Sequence, residues 1–145
     1  VAAPPAAPPA ELTSRLRMVT MRLSRLLRQQ NGPELSPALV SALATVARGP
    51  VTLGRLAELE SVQPPSMTRL VAKLEELGMV TRAIDGNDRR VSRLTITPAG
   101  AQVLAEVRLR RNEVLAARLT ALDPADVAAI EAALPALERL SGVNA

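Results

Sequence analysis

The run Gln63-Pro64-Pro65-Ser66-Met67-Thr68-Arg69-Leu70-Val71-Ala72-Lys73-Leu74-Glu75-Glu76-Leu77-Gly78 constrains this chain more than any other. Met67, Leu70, Val71, Leu74 and Leu77 recur at three- and four-residue steps, the period of one helix face. Two prolines suit a helix's first turn, whose amides lack intrahelical partners, and Gly78 suits its end. Burying that stripe leaves Ser66, Arg69, Lys73 and Glu76 on the opposite face. The leading turn then carries hydroxyls and a guanidinium, groups that reach phosphates and base edges from a helix lying in a DNA major groove. Every amphipathic surface helix has a polar face, so the flanking segments must decide between a solvated surface and a contact surface.

Upstream, Val51-Thr52 reads as a two-residue strand, and Thr52 also as the cap of a short helix holding Leu53, Leu56 and Ala57. Ser61-Val62 is the turn into the longer helix. A short helix, a tight turn and a second helix with a polar leading edge make a helix-turn-helix. Ala57 is small where the two helices approach, and Leu56, Val62, Met67 and Leu70 supply a shared core. Downstream, 79–84 and 91–97 read as strands from their β-branched content and from Leu94 and Ile96 alternating with Arg93, Thr95 and Thr97. Between them Asp85-Gly86-Asn87-Asp88-Arg89-Arg90 is a turn-forming run ending in two guanidinium groups. A basic-tipped hairpin directly after a helix-turn-helix is a wing, able to place arginine in a minor groove. The same residues also suit a solvated hairpin whose Asp and Arg pair with each other. The two readings coexist if Asp88 holds Arg90 pointing outward.

The rest of the chain is helical by pattern. Residues 1–10 are an Ala/Pro arm without a core of its own. From Glu11 to Gln30, Leu12, Leu16, Val19, Leu23, Leu26 and Leu27 mark one helix face. Ser36 caps a second helix with Pro37 at its first position and Leu39, Val40, Leu43 and Val46 inward. Thr97-Pro98 starts a long helix reaching about Ala121, and Asp123-Pro124 starts another, in which Val127, Ile130, Leu134 and Leu137 step like a coiled-coil seam. Pro135 removes one backbone bond inside that helix and should kink it. The expected fold class is mainly α with a small antiparallel β wing, a winged helix-turn-helix plus a helical dimerisation region. The expected division is an arm at 1–10, an N-terminal dimerisation helix at 11–35, a winged helix-turn-helix at 36–97 and C-terminal dimerisation helices at 98–145. The outer helices carry apolar stripes that a small winged domain does not fully cover, which points to a second copy of the chain. A self-contained helical bundle is the alternative.

Composition removes whole classes of function. The 145 residues are 48% hydrophobic yet include no Phe, Trp or Tyr, so a core must be aliphatic. Single-strand binders that stack bases on aromatic platforms are disfavoured. Net charge is +4, and the basic residues are 17 Arg and one Lys. Arginine grips phosphate and guanine bidentately, although GC-rich coding produces the same bias. With neither Cys nor His in the chain, disulfides, thiolate or imidazole metal sites and Cys- or His-based catalysis are excluded. No metal, no cofactor and no enzymatic activity are expected. No apolar run approaches ~18 residues, and no basic start precedes a continuous apolar segment. The expectation is a cytoplasmic protein with no membrane partner.

The residues resemble the MarR family of transcriptional regulators. The resemblance spans nearly everything after Ala10 and is most specific in TLGRLAE, PPSMTRLVAKLEELGMVTR and DGNDRRVSRLTITPAG, above all Asp85, Asp88 and Arg90 followed by Leu94-Thr95 and Thr97-Pro98-Ala99-Gly100. It implies a homodimer whose first and last two helices form the dimerisation region. It further implies a repressor, less often an activator, that binds a pseudo-palindromic operator in double-stranded DNA and is released by a small lipophilic or aromatic anion. By motif, Ser66, Thr68 and Arg69 would meet the major groove. Arg90 would enter the minor groove with Asp88 orienting it, and Arg89 and Arg93 would lie near the backbone. Thr52 and Lys73 complete the candidate DNA-contacting set. Gly86 stands where many relatives have proline, and with no aromatic side chain a ligand pocket would be aliphatic and arginine-rimmed. The rival reading is a winged-helix dimer that serves only protein–protein assembly.

Overall fold

The computed structural model describes residues 9–84 and 92–142, and the chain separates into two compact units, Val1–Arg108 and Leu109–Ala145. Its elements in order are α1 (Ala10–Arg28), α2 (Pro37–Val46), β1 (Val51–Thr52), α3 (Leu53–Leu59), α4 (Pro64–Glu76), β2 (Val80–Ile84), β3 (Ser92–Ile96), α5 (Pro98–Thr120) and α6 (Pro124–Ser141). The helix starts follow the capping chemistry of the sequence. The Ser36 hydroxyl accepts from the Leu39 amide at 3.3 Å, Thr52 from Arg55 at 3.2 Å, and Asp123 from Ala125 at 2.9 Å. Helix α4 has no side-chain cap. Pro64 and Pro65 occupy its first two positions, so two of the amides that a cap would serve are absent. It ends in a left-handed turn at Gly78 (φ +68°), where the Met79 amide donates to the Leu74 carbonyl at 2.9 Å and the Gly78 amide to Glu75 at 3.0 Å.

In the first unit the core is aliphatic throughout. Leu43 and Val46 of α2, Leu56 of α3, Met67, Val71 and Leu74 of α4, Leu94 of β3 and Val107 of α5 are its most deeply buried side chains. The stripe of α4 is therefore inside as its period demands, with Leu70 and Leu77 at the margin packed against that core. The three strands form one antiparallel sheet in the order β1-β3-β2. Val51 pairs with Leu94 across β1 and β3; Val80 pairs with Ile96 and Arg82 with Leu94 across β2 and β3. Strand β3 is thus the central strand and β2 an edge, which fits a hairpin projecting from a helical body.

The second unit holds the end of α5 and all of α6. Helix α6 runs continuously through Pro135 to Ser141, and Gly142 closes it in the left-handed conformation. It has no buried residue, and neither has α1.

One junction fixes where α5 begins. The Thr97 hydroxyl donates to the Gly78 carbonyl at 2.6 Å and accepts from the Gly100 amide at 3.0 Å, while the Thr97 amide donates to Met79 O at 3.0 Å. The start of α5 is thereby tied to the end of α4. Gly100 packs so closely that a Cβ there would stand 2.1 Å from the Met79 carbonyl oxygen, a backbone atom with no rotamer to give way. Gly100→Ala should lower stability by about 2–3 kcal/mol through overpacking, measured by urea denaturation followed by far-UV circular dichroism at fixed protein concentration.

Candidate nucleic-acid interface

Helices α3 and α4 meet through a turn whose first amides bond back to α3. The Ser61 amide donates to Glu58 O at 3.1 Å and the Val62 amide to Ala57 O at 3.0 Å. Ser61 has φ +53°, a left-handed conformation that a residue with a Cβ adopts at some cost. Leu56 and Ala57 are buried beneath this turn, so the reading of Ala57 as the small residue at a close approach agrees with its position. Beside the turn, the Glu60 carboxylate accepts from the Ser41 hydroxyl at 2.6 Å and from the Thr45 hydroxyl, tying the end of α3 to the outer face of α2. This bracket was missed in the sequence. Its signal was Ser41 and Thr45 standing four residues apart on one helix face, with a carboxylate in the next turn but one of the chain.

Ser66, Thr68, Arg69 and Lys73 of α4 are all exposed. Thr68 donates its hydroxyl proton to the Pro64 carbonyl at 2.9 Å, which leaves its lone pairs free to accept. Arg69 has no ion-pair partner among the described residues, so its five donors face solvent. Lys73 is engaged with Glu76 at 3.1 Å in an exposed pair one turn apart. Thr52 and Arg93 are register partners across β1 and β3, and the Thr52 hydroxyl is occupied as the α3 cap. Arg93 is exposed at the surface of β3. Asp88, Arg89 and Arg90 lie outside the described residues.

A second charged pair was also missed. Arg82 of β2 reaches Glu75, near the end of α4, with Nε to Oε1 at 3.1 Å and Nη2 to Oε2 at 3.2 Å. These two parallel bonds form the fork geometry in which arginine holds a carboxylate most firmly. The Glu75 hydrogen bond raises the Arg82 pKa above the ordinary guanidinium value. On α5, burial pushes the Arg111 pKa down. Among the described residues no group of acidic side chains is arranged to hold a metal ion, and no helix is long and apolar enough to cross a membrane.

A helix-turn-helix with a polar leading face, followed by a hairpin whose inner strand closes a small sheet, defines a winged helix. The MarR family model matches residues 35–92, the span from just before α2 to the start of β3. The uncharacterized HTH-type transcriptional regulator Mb0904 of Mycobacterium bovis is 42% identical over 116 residues, covering 79% of this chain and 81% of that protein. A MarR family protein from Bacillus stearothermophilus superposes with a TM-score of 0.76 at 26% identity, over 92% of this chain and 94% of that one. RV1404 from Mycobacterium tuberculosis shares the fold with a TM-score of 0.84 at 22% identity, over 96% and 99% of the two chains. The chain belongs to the MarR family of transcriptional regulators.

The strained turn generates a direct test of the local argument. Ser61→Gly removes the Cβ from a left-handed residue and should raise stability by up to about 1 kcal/mol, whereas the β-branched Ser61→Val should lower it by about 1–2 kcal/mol. Paired urea melts on the two variants read the difference.

Proposed function

We propose that this protein is a homodimeric repressor that binds a pseudo-palindromic DNA operator and is released by a small lipophilic or aromatic anion. The observation that carries the DNA-binding part is the leading face of α4. Ser66, Thr68 and Arg69 are exposed on a helix whose opposite face is buried at Met67, Val71 and Leu74, so the contact groups stand on a rigid support. A mutant of Staphylococcus aureus MepR, which shares the fold with a TM-score of 0.68 at 16% identity, is bound to an oligodeoxyribonucleotide. Arg69 with Ser66 and Thr68 would meet the major groove, Arg93 the sugar–phosphate backbone nearby, and Arg90, oriented by Asp88, the minor groove.

Dimerisation through α1, α5 and α6 is supported by what the single chain leaves uncovered. In α6, Ile130, Leu134, Leu137 and Leu140 are 41%, 47%, 39% and 69% exposed, and in α1 Leu12, Val19 and Leu23 are similarly open. Rows of large aliphatic side chains at three- and four-residue steps on helices without a buried residue suit a symmetric partner. A dimer would set two recognition helices about one DNA turn, ~34 Å, apart. An inducer then acts only through its differential affinity for the spacing that fits DNA and the spacing that does not.

Binding of fluorescently labelled duplexes from the host's own upstream regions, across a salt series, tests this reading. Specific binding to a palindrome that weakens steeply with salt is expected. Weak, sequence-blind binding would instead favour an assembly module. On the operator so found, Arg69→Ala should lose about 1–3 kcal/mol of binding free energy and relax specificity at one base pair per half-site. A variant carrying Ile130→Glu and Leu134→Glu should sediment as a monomer at micromolar concentration, since it places two carboxylates in the proposed seam.

A further inference from the structure

Strand β2 has little of its own to hold it in place. It is an edge strand of the sheet, and of its five residues only Val80 is buried. Side chains on one face of a strand alternate, so Val80, Arg82 and Ile84 share the face on which their cross-strand partners Ile96, Leu94 and Ser92 lie. At Val80 and Leu94 that face meets the core, and by Ile84, 69% exposed, the strand has left it. Two residues beyond Val80, where another aliphatic side chain would continue the packing, the chain has a guanidinium. Arg82 spends it on Glu75, the penultimate residue of α4, through two parallel hydrogen bonds, with the two side chains 40% and 31% exposed.

We infer that the Glu75–Arg82 pair is a clamp that fixes the stance of the β2–β3 hairpin against the recognition helix, and that Glu75 and Arg82 are positioning residues for DNA binding. This rests on the DNA-binding reading above. The backbone joins α4 to β2 through a single turn, and Val80, Leu94 and Thr97 hold the base of the hairpin there, whereas the pair is a side-chain tie from α4 to β2 two residues further out. A wing and a recognition helix that engage two grooves of one duplex must hold a fixed relation before binding, or the ordering is charged against affinity. The neighbouring carboxylate is used differently: Glu76 pairs with Lys73 within α4 and joins no two elements.

This contrast gives the clamp a signature in sign. Removing a negative charge from a helix that faces DNA strengthens binding if charge alone matters. Glu76→Gln should therefore bind operator as tightly as wild type or slightly tighter. Glu75→Gln removes the same charge one residue away, yet should bind about fivefold more weakly, the scale set by one partly exposed pair holding one conformation. Arg82→Gln should weaken binding similarly, without the change of about one in salt slope that loss of a direct phosphate contact produces. The double variant Glu75→Gln with Arg82→Gln should be no worse than the weaker single one, and the exchanged pair Glu75→Arg with Arg82→Glu should recover most of the affinity.

The experiment is titration of labelled operator duplex with the 145-residue chain and these variants at several salt concentrations, alongside thermal melts and amide hydrogen exchange of β2 and β3. Faster exchange in the hairpin of both single variants, with α2 and α3 unchanged, is the expected result that needs no DNA. If Glu75→Gln tightens binding as Glu76→Gln does, or lowers only the melting temperature, the clamp is overturned. A reduced salt slope confined to Arg82→Gln would also overturn it, by making Arg82 a phosphate contact. Should wild type bind no duplex specifically, the DNA-binding reading falls, and the exchange data alone then decide whether the pair holds the hairpin.

Discussion

Everything in the first unit depends on burying one face of α4 in a core without aromatic rings. Met67, Val71 and Leu74 are completely buried, facing a shell of Leu43, Val46, Leu56 and Leu94. Each such side chain contributes about 1.5–3 kcal/mol relative to exposure, so this one helix anchors much of the unit. Aliphatic side chains fill less volume than rings, and the backbones must come correspondingly close. Small residues stand among that packing: Ala42 and Ala57 are buried, and Gly100 leaves no room for a Cβ against the Met79 carbonyl. At these three positions a small residue suits a close-packed core built from leucine, valine and methionine.

Because the inner face of α4 is fixed so firmly, its outer face is presented in a single orientation, and the charges along it divide by position. The first two turns hold Ser66, Thr68 and Arg69, with the guanidinium uncommitted among the described residues. The last two hold Lys73, Glu75 and Glu76, and every charge there is matched, Lys73 within the helix and Glu75 across to β2. An acidic helix end beside a polyanion would repel it. Matching those carboxylates removes the repulsion while leaving the leading edge free.

The sequence made local features legible because each has a local cause. The starts of α2, α5 and α6 were readable from a capping side chain and a following proline, that of α3 from its Thr52 cap, and that of α4 from its prolines and its stripe. The strands followed from β-branched content and alternation, and the buried residues of α2 and α4 from helical period. What was not legible joins elements distant in the chain. Glu60 reaches back to Ser41 and Thr45, and Arg82 reaches back to Glu75; in the sequence each is one more surface charge. The alternation of β2 did contain a hint, since Arg82 stands at a position whose neighbours two residues away are Val80 and Ile84. A guanidinium two residues beyond a buried valine has a carboxylate as its natural partner. Only the fold names which one. Ser61 was unreadable for a different reason, because a left-handed φ is normally signalled by Gly or Asn and serine gives no such sign.

The two cations of the later half of α4's surroundings are not equally committed, and this ranks what DNA could recruit. Lys73 and Glu76 are 46% and 68% exposed and make one contact, a kind of pair worth roughly 0–1 kcal/mol, so a phosphate can draw the ammonium away at little cost. Arg82 makes two parallel bonds to a carboxylate that is less exposed, and taking it away would leave that carboxylate unpaired next to the incoming charge. On the proposed DNA-binding reading, Lys73 would therefore be a reserve contact, available after encounter, whereas Arg82 would be worth more to a DNA complex where it stands. The single lysine of the chain occupies the position where a flexible, singly attached cation is useful, and an arginine occupies the position where a rigid fork is.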